Sequence, residues 1–235
     1  MLSQNKMLKG LQKILHNTTI VNLSGESGTG KTSLALYLAS QLLKSDEVCI
    51  WIQASEPFPK RRLESMYKNN QRKLKAKLNQ IFIAPDKVFS TFHNQSVFLR
   101  NLHSNGFPFP PSTRFIIIDN ISHHLRYKVS QINEVNARVM ILDDFYSSGL
   151  LPLILHCSRE NIILFFIHEV SFNPTLQRTR PFFNSLYERM KGLNITLKQF
   201  KPTKKRIMVL KTKGHRNSIE FKIKDSGFEF SDSFI

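Results

Sequence analysis

The chain alternates short apolar runs with longer segments of helical composition or spacing. Five runs are typical of strands, at residues 18–23, 47–55, 81–85, 114–122 and 162–170. The segments between them predict helices, at residues 32–43, 59–80, 88–105 and 132–161. Gly149 and Pro152 are expected to interrupt the last helix. This alternation predicts an α/β fold with a mostly parallel central sheet flanked by helices.

The two ends of the chain have different patterns. Apolar residues in the first 17 positions are spaced as in a short amphipathic helix, so we expect a lead-in helix at 1–17. Periodicity is lost beyond residue 171, which predicts a long loop through residue 185. Three later segments alternate apolar and polar residues at period two, which predicts C-terminal antiparallel strands at 194–200, 206–212 and 218–230. Since this length suits one core, we expect residues 1–235 to form a single domain.

Residues 25–32 read GESGTGKT, a complete G-x-x-x-x-G-K-[ST] phosphate-binding loop between a predicted strand and a predicted helix. In such a loop the backbone N–H groups and the helix N-terminus converge on phosphate oxygens. Lys31 is expected to reach the β- and γ-phosphates, and the Thr32 hydroxyl to ligate Mg²⁺. The predicted nucleotide-binding residues are Gly25, Glu26, Ser27, Gly28, Thr29, Gly30, Lys31, Thr32 and Ser33.

A second candidate site residue ends the apolar run at 114–122. That run predicts a buried parallel strand, which delivers Asp119 to the carboxyl edge of the sheet. An aspartate there orients Mg²⁺ beside a phosphate loop, so Asp119 joins Thr32 as a predicted metal-binding residue. The chain has no N-K-x-D guanine-binding motif, which argues against a GTPase. A nucleotide kinase would share the loop but would not account for the closing antiparallel strands.

Net charge is +17, concentrated at residues 59–80 and 198–216. Such an excess attracts polyanions, of which nucleic acid is the commonest inside cells. A solvated basic face is the alternative interpretation. Cys49 and Cys157 lie in apolar runs and form no metal-ligand pair, so both are expected to be buried. The longest apolar runs are shorter than the ~20 residues of a spanning helix, and no signal sequence is recognised, which predicts an intracellular protein without membrane partners.

The motifs and their order resemble the RecA-type recombinase core, and archaeal RadB-like proteins most of all. The similar segments span about residues 8–228 and read GESGTGKTSLA, FPKRRLE, IIIDNIS, NEVNAR and TKGHRNSIEFKIKDSGF. The resemblance implies a RecA-like P-loop core that binds ATP and Mg²⁺. It also implies a role in DNA recombination or repair, without the separate N-terminal DNA-binding domain that longer relatives carry.

Two departures from the family pattern bear on hydrolysis. The family's catalytic glutamate ends the second strand, where this register places Ala54 or Ser55 rather than Glu56. The family's Asn-Gln pair, which senses the γ-phosphate, is replaced by His168 and Glu169. Either the sensing role is lost or Glu169 has been recruited as the base, and ordinary strand-end residues are an equal alternative. Lys31, Glu56 and Glu169 are therefore the candidate catalytic residues, and ATP hydrolysis is expected to be weak or absent.

The resemblance also implies two loops that face single-stranded DNA or the DNA backbone. They would follow Asp119 and Glu169, and their candidate DNA-binding residues are Arg126, Tyr127, Lys128, Arg178 and Arg180. Lys211 and Lys213 stand where related ATPases place residues that reach the γ-phosphate of a neighbouring subunit, which implies a homo-oligomer. Edge-strand lysines that discourage aggregation are the alternative.

Two functions remain. The preferred hypothesis is an ATP-binding RecA-like recombinase paralogue that assists DNA repair by binding single-stranded DNA or a recombinase partner. It would be at most a weak DNA-dependent ATPase, cytoplasmic and associated with the nucleoid. The alternative is a KaiC-like regulatory ATPase that acts on protein partners.

Overall fold

One nine-stranded sheet forms the centre of the molecule, and a separate two-stranded hairpin lies beside it. The computed structural model describes residues 2–102, 109–173, 177–200, 203–212 and 214–234, with side chains described except at 2–6, 173, 178 and 232–234. The sheet strands are β1 Ile20–Gly25, β2 Val48–Gln53, β3 Ile81–Ala84, β4 Thr113–Asp119, β5 Ile163–His168, β8 Leu193–Phe200, β9 Lys205–Thr212, β10 His215–Lys224 and β11 Gly227–Phe234. The hairpin strands are β6 Val170–Asn173 and β7 Arg178–Pro181.

The sheet has a parallel part and an antiparallel part. Its spatial order is β11-β10-β9-β8-β1-β5-β4-β2-β3. Neighbouring strands from β8 to β3 pair in parallel, whereas β8 to β11 form an antiparallel run. This arrangement confirms the predicted mostly parallel sheet with C-terminal antiparallel strands.

Helices cover both faces of the sheet. They are α1 Leu2–His16, α2 Lys31–Leu42, α3 Lys60–Met66, α4 Gln71–Asn79, α5 Phe92–Asn101, α6 His123–Ser130, α7 Val135–Asp144, α8 Leu151–Arg159 and α9 Asn184–Glu188, with a π-helical turn at Phe145–Leu150 between α7 and α8. Apolar residues of α1 to α4 pack in one core cluster, and those of α5, α6, α8 and α9 pack in the other. The apolar face of each of these helices is therefore buried against the sheet.

Strand β4 shows why its sequence is apolar at successive positions. Phe115 and Ile117 belong to the first core cluster, whereas Ile116 and Ile118 belong to the second. Since side chains alternate between the two faces of a strand, a strand covered by helices on both sides has no polar face. Asp119 follows at the carboxyl edge, where β4 ends.

The β10–β11 hairpin packs on the phosphate loop. A Cβ atom built on Gly30 would lie 2.5 Å from Cδ1 of Ile223, and the φ of 99° at Gly30 favours glycine at this position. Arg62 holds the turn of the hairpin, because its guanidinium donates hydrogen bonds to the carbonyls of Lys224, Asp225 and Gly227. The C-terminal strands therefore complete the surroundings of a loop almost two hundred residues earlier in the chain.

Several predicted elements differ from the structure. The basic segment 59–80 is two helices, and residues 171–185 hold the β6–β7 hairpin and the start of α9 instead of one long loop. The predicted first DNA-facing loop is helical, since α6 begins at His123. The helix predicted over 88–105 begins at Phe92 and is described as far as Asn101. The predicted break in 132–161 is a π-helical turn, which keeps the helix continuous.

The continuous helical stretch at residues 135–159 is long and apolar enough to cross a membrane by length and composition alone. Core helices of soluble proteins meet the same criteria, but they are mostly buried, whereas 22% of this window is buried. In this chain Phe145, Leu150, Leu153 and Cys157 of that stretch are buried in the second core cluster. Cys49 is buried in β2, as predicted.

Candidate functional site

The phosphate loop connects β1 to α2. Gly28 and Gly30 have positive φ angles of 76° and 99°, a region that glycine adopts without strain. The side chain of Thr29 is turned inward, where its hydroxyl donates to the Glu26 carbonyl over 2.8 Å. Helix α2 then starts at Lys31, with Gly30 as its N-cap. The loop is therefore followed directly by a helix N-terminus, which favours anions.

Lys31 is folded against the loop. Its Nζ donates to the carbonyls of Gly25 and Glu26 over 2.9 Å and 3.1 Å. Burial lowers the pKa of Lys31, while the charges of Asp119 and Glu169 oppose that shift. The lysine is thus a partly desolvated cation close to two carboxylates.

Thr32 and Asp119 meet at the base of the loop. The Thr32 hydroxyl donates to Oδ2 of Asp119 over 2.8 Å. Adjacent ligands of octahedral Mg²⁺ lie about 3 Å apart, because each is 2.0–2.1 Å from the metal at a right angle. Two hard oxygens at this spacing suit that ion. These residues would hold Mg²⁺, which would supply positive charge at phosphate oxygens.

Asp119 is an unusually buried carboxylate, with 3% of the residue exposed. Burial raises its pKa to about 6, against the hydrogen bond from Thr32 and the charge of Lys31, and the charge of Glu56 raises it further. Desolvation of this kind disfavours the ionised form until a cation compensates it. The site therefore contains a carboxylate whose ionised form a bound metal would stabilise.

Glu169 lies at the carboxyl end of β5, opposite the phosphate loop. Its carboxylate accepts hydrogen bonds from Asn120 Nδ2 at 2.9 Å, His123 Nδ1 at 3.1 Å and Arg126 Nη1 at 2.8 Å. Burial raises the pKa of Glu169, but these donors together hold it below its ordinary value. Its backbone N–H also donates to Ser122 Oγ over 3.1 Å. Glu169 is consequently ionised at neutral pH and has three side-chain donors.

The end of β2 supplies the third part of the site. The backbone N–H groups of Ala54 and Ser55 both donate to the carbonyl of Asp119, at 2.7 Å and 3.1 Å. Ser55 Oγ accepts from the backbone N–H of Asn120 over 3.3 Å. Glu56 follows, is exposed, and lines the cavity. The turn at 54–55 therefore brings Glu56 to the rim.

These parts enclose an open cavity of about 630 Å³. It is lined by Gly25, Ser27, Gly28, Gly30, Lys31, Thr32, Ser33, Glu56, Asp119, Asn120, Arg126, Ile167, Glu169, Val170 and Ile223. All three predicted catalytic residues, both predicted metal-binding residues and most of the phosphate loop thus meet in one place. Glu26 is exposed beside the cavity, and Thr29 is buried beneath it.

The predicted DNA-binding residues occupy two different places. Arg126 lines the nucleotide cavity, with its guanidinium bound to Glu169 and 4.6 Å from the ring centroid of Phe182. Tyr127 and Lys128 instead line a second groove of about 460 Å³ between α5 and α6, and Tyr127 is 67% exposed. Arg180 belongs to β7, whereas the side chain of Arg178 lies outside the described residues.

Lys211 does not face the cavity of its own chain. It pairs with Asn194, the neighbour of Asn22, whereas the phosphate loop begins next to Leu197, three residues further along β8. Lys213 lies outside the described residues.

Sequence reasoning missed a buried polar chain at this edge. His168 Nε2 lies 3.1 Å from Oδ1 of Asn22, and Asn22 Nδ2 donates to Oδ1 of Asn194 over 3.2 Å. Because Asn22 Oδ1 can only accept, the Nε2 of His168 carries the proton. Burial, with a smaller contribution from the Lys31 charge, lowers the pKa of His168 to about 3. Two asparagines and a histidine within predicted strands were the available signal.

Comparisons with known proteins agree with this architecture. The family model described as AAA domain (AAA_22) matches residues 14–161. No curated protein sequence matches the chain. Among solved structures, "Crystal structure of the RadB recombinase" matches with a TM-score of 0.70 and 18% identity, covering 94% of this chain and 96% of that chain. Identity at this level shows the fold alone, which is RecA-like.

Proposed function

We propose that this chain, which belongs to the AAA domain family, is an ATP-binding RecA-like recombinase paralogue that assists DNA recombination or repair. ATP and Mg²⁺ are its cofactors, with Lys31 at the phosphates and Thr32 and Asp119 at the metal. One observation carries the nucleotide-binding part of the proposal: the Thr32–Asp119 contact at the base of a complete phosphate loop, inside a cavity that also holds Lys31.

Isothermal titration calorimetry with ATP tests nucleotide binding. We expect saturable binding with Mg²⁺ and much weaker binding with EDTA, since Mg²⁺ offsets both the phosphate charge and the buried Asp119. Folded protein that releases or absorbs no heat across several temperatures would disprove the proposal.

Single-stranded DNA or the DNA backbone is the proposed partner. The support comes from the excess of basic residues and from exposed Tyr127 beside Lys128 in the α5–α6 groove, where an aromatic ring can stack on an unpaired base. Among the residues that line this groove, all within the described chain, the charged side chains are Arg100, which forms an ion pair with Asp144, and Lys128. A groove of this charge suits phosphates on either side of a base.

A salt titration of oligonucleotide binding tests the DNA proposal. We expect affinity for single-stranded DNA to fall steeply between low and physiological salt, because neutralising phosphates releases counterions. Tyr127→Ala should weaken binding about tenfold, within the range known for base stacking. The matched control is Tyr146→Ala, whose ring packs with Arg189 and does not line the groove.

ATP hydrolysis is proposed to be weak. Three hydrogen-bond donors hold Glu169 and lower its basicity, so it is a poor general base. Among the described residues, Glu56 makes no side-chain hydrogen bond or ion pair, so we assign residual turnover to it. A steady-state phosphate-release assay should show slow hydrolysis that Glu56→Gln removes and Glu169→Gln largely spares. The reverse ranking would assign the base to Glu169.

A recombinase subunit or a second copy of this chain is a further proposed partner, with Lys211 at the neighbouring nucleotide site.

A KaiC-like regulatory ATPase is the alternative function, and the surface of α7 favours it. Val135, Val139 and Met140 are 68%, 49% and 71% exposed, and α7 has no buried residue among those described. Exposed apolar helices suit protein partners. Binding of single-stranded DNA that is weak and independent of salt would support this alternative.

A further inference from the structure

We infer that Arg126 binds the terminal phosphate of ATP within its own chain and couples that phosphate to the β6–β7 hairpin through Phe182. The inference rests on the proposed nucleotide binding. The sequence predicts that Arg126 contacts DNA. The inference gives Arg126 a different role, which is to distinguish ATP from ADP.

Arg126 contacts three parts of the molecule at once. Its guanidinium lines the nucleotide cavity, forms an ion pair with Glu169 at 2.8 Å, and lies 4.6 Å from the ring centroid of Phe182. Helix α6 places it there because α6 begins four residues after Asp119 ends β4. Its side chain is 52% exposed, so it can change rotamer without unpacking the core.

The charges of the cavity indicate that a bound triphosphate needs a positive side chain in addition to Lys31. Among the described lining residues, the carboxylates are Glu56, Asp119 and Glu169, and the side chains that carry positive charge are Lys31 and Arg126. A triphosphate with one Mg²⁺ adds negative charge to this set. Arginine stays protonated and presents a planar fork that binds phosphate through two hydrogen bonds, which lysine cannot do.

Glu169 would keep partners if Arg126 turned towards phosphate. Asn120 Nδ2 and His123 Nδ1 also contact its carboxylate, at 2.9 Å and 3.1 Å. An ion pair this exposed is a weak contact that solvent screens. Arg126 can therefore leave its ion pair with Glu169 at little cost in free energy. Its new contact with a phosphate oxygen would favour binding of the ligand.

The hairpin is attached to the same residues. Strand β6 begins at Val170, directly after Glu169, and the backbone N–H of Phe182 donates to the Glu169 carbonyl over 3.1 Å. The Phe182 ring loses its cation–π partner when Arg126 moves. Because ADP lacks the terminal phosphate, only ATP would move Arg126 and release the ring, which makes the hairpin responsive to the nucleotide.

Calorimetry with variants tests the phosphate contact. For Arg126→Gln we expect the Kd of a non-hydrolysable ATP analogue with Mg²⁺ to rise about tenfold and the Kd of ADP to change less than about twofold. Arg126→Lys should fall between, since it keeps the charge and loses the fork. The control is Arg159→Gln, the same change at the exposed end of α8, which should alter neither Kd.

Fluorescence of the Phe182→Trp variant tests the coupling. The one native tryptophan, Trp51, is fully buried and gives a constant background. We expect the ATP analogue, but not ADP, to change the emission of the introduced indole. Adding Arg126→Gln should abolish that change at saturating analogue.

The outcomes separate this inference from the proposed function. If unaltered protein binds neither nucleotide, the proposed function fails and this inference fails with it. If both nucleotides bind but Arg126→Gln weakens them equally, or weakens neither, the inference alone is overturned. Circular dichroism melting establishes that each variant folds, and Arg126→Lys carries the test if Arg126→Gln does not.

Discussion

The nucleotide cavity has two walls that differ in how their charges are compensated. In the phosphate-loop wall, formed by residues 25–33 and Asp119, burial lowers the pKa of Lys31 and raises that of Asp119. In the β5 wall, formed by Ile167, Glu169, Val170, Asn120 and Arg126, three donors hold the pKa of Glu169 below its ordinary value. The first wall gains from a ligand and a metal, whereas the second is satisfied by the protein itself. Substitution of Lys31 or Asp119 should therefore change nucleotide binding, whereas substitution of Glu169 should change stability.

The largest effect is expected for Lys31→Ala. Loss of the desolvated ammonium beside the phosphates should weaken ATP binding about a thousandfold or more, measured by calorimetry. Its melting temperature should stay close to that of the unaltered protein, because burial already disfavours the charged lysine. A drop of less than tenfold in affinity would show that the charges of the phosphate-loop wall do not depend on the nucleotide for compensation.

A pH titration of stability examines the strand that carries the β5 wall. His168 is buried as a neutral ring beside Tyr187, with a pKa of about 3 that lies below the ordinary 6.5. The unfolded chain therefore binds a proton that the folded chain does not, so the free energy of unfolding falls as pH drops from 6.5 towards 3. The loss is on the order of 4 kcal/mol over that interval.

Urea unfolding at pH 7 and at pH 4.5 measures this linkage. His168→Gln keeps a donor for Asn22 and removes the titrating group, so its stability should depend less on pH over the same range. If the free energy of unfolding falls by the same amount between pH 7 and pH 4.5 in both proteins, other titratable groups dominate the pH dependence.

Asp119→Asn should separate binding from stability. We expect the affinity for ATP with Mg²⁺ to fall about a hundredfold, because the amide lacks the charge that offsets the metal. The melting temperature without nucleotide should not fall, since an ionised carboxylate with a pKa raised to about 6 is a cost to the folded state at neutral pH. A clear loss of stability would mean that the protein alone compensates the negative charge of Asp119.

The smallest effect belongs to Glu169→Gln. Loss of the carboxylate leaves Arg126 and His123 with a neutral partner, which should lower the free energy of unfolding by about 1 kcal/mol. ATP affinity should change less than about threefold. Chemical unfolding and calorimetry on the same sample would show whether the two walls respond in opposite ways, as the comparison requires.

The phosphate-loop wall could be predicted because its residues are encoded by local spacing. Lys31 and Thr32 follow a glycine-rich turn, and Asp119 ends an apolar strand. The β5 wall could not be predicted in the same way, because the donors to Glu169 lie 49, 46 and 43 positions earlier in the chain. Only the topology that places β4 beside β5 brings them together.

Two elements of the fold escaped prediction for identifiable reasons. Strands β6 and β7 have four residues each, which is too short to establish a period, and the sequence from 171 to 185 has the composition of a loop. Helix α6 has two buried residues, Leu125 and Val129, whose spacing of four was the available signal. Polar and aromatic residues around them obscured it.

The approach of Ile223 to Gly30 has a consequence for protein synthesis. The phosphate loop leaves the ribosome early, but the side chain that closes over it is translated near the end of the chain. A nascent or prematurely terminated polypeptide that lacks β10 cannot form a complete nucleotide site. A chain cut before β10 would therefore keep Lys31, Thr32 and Asp119 but lose the side chain that packs over Gly30.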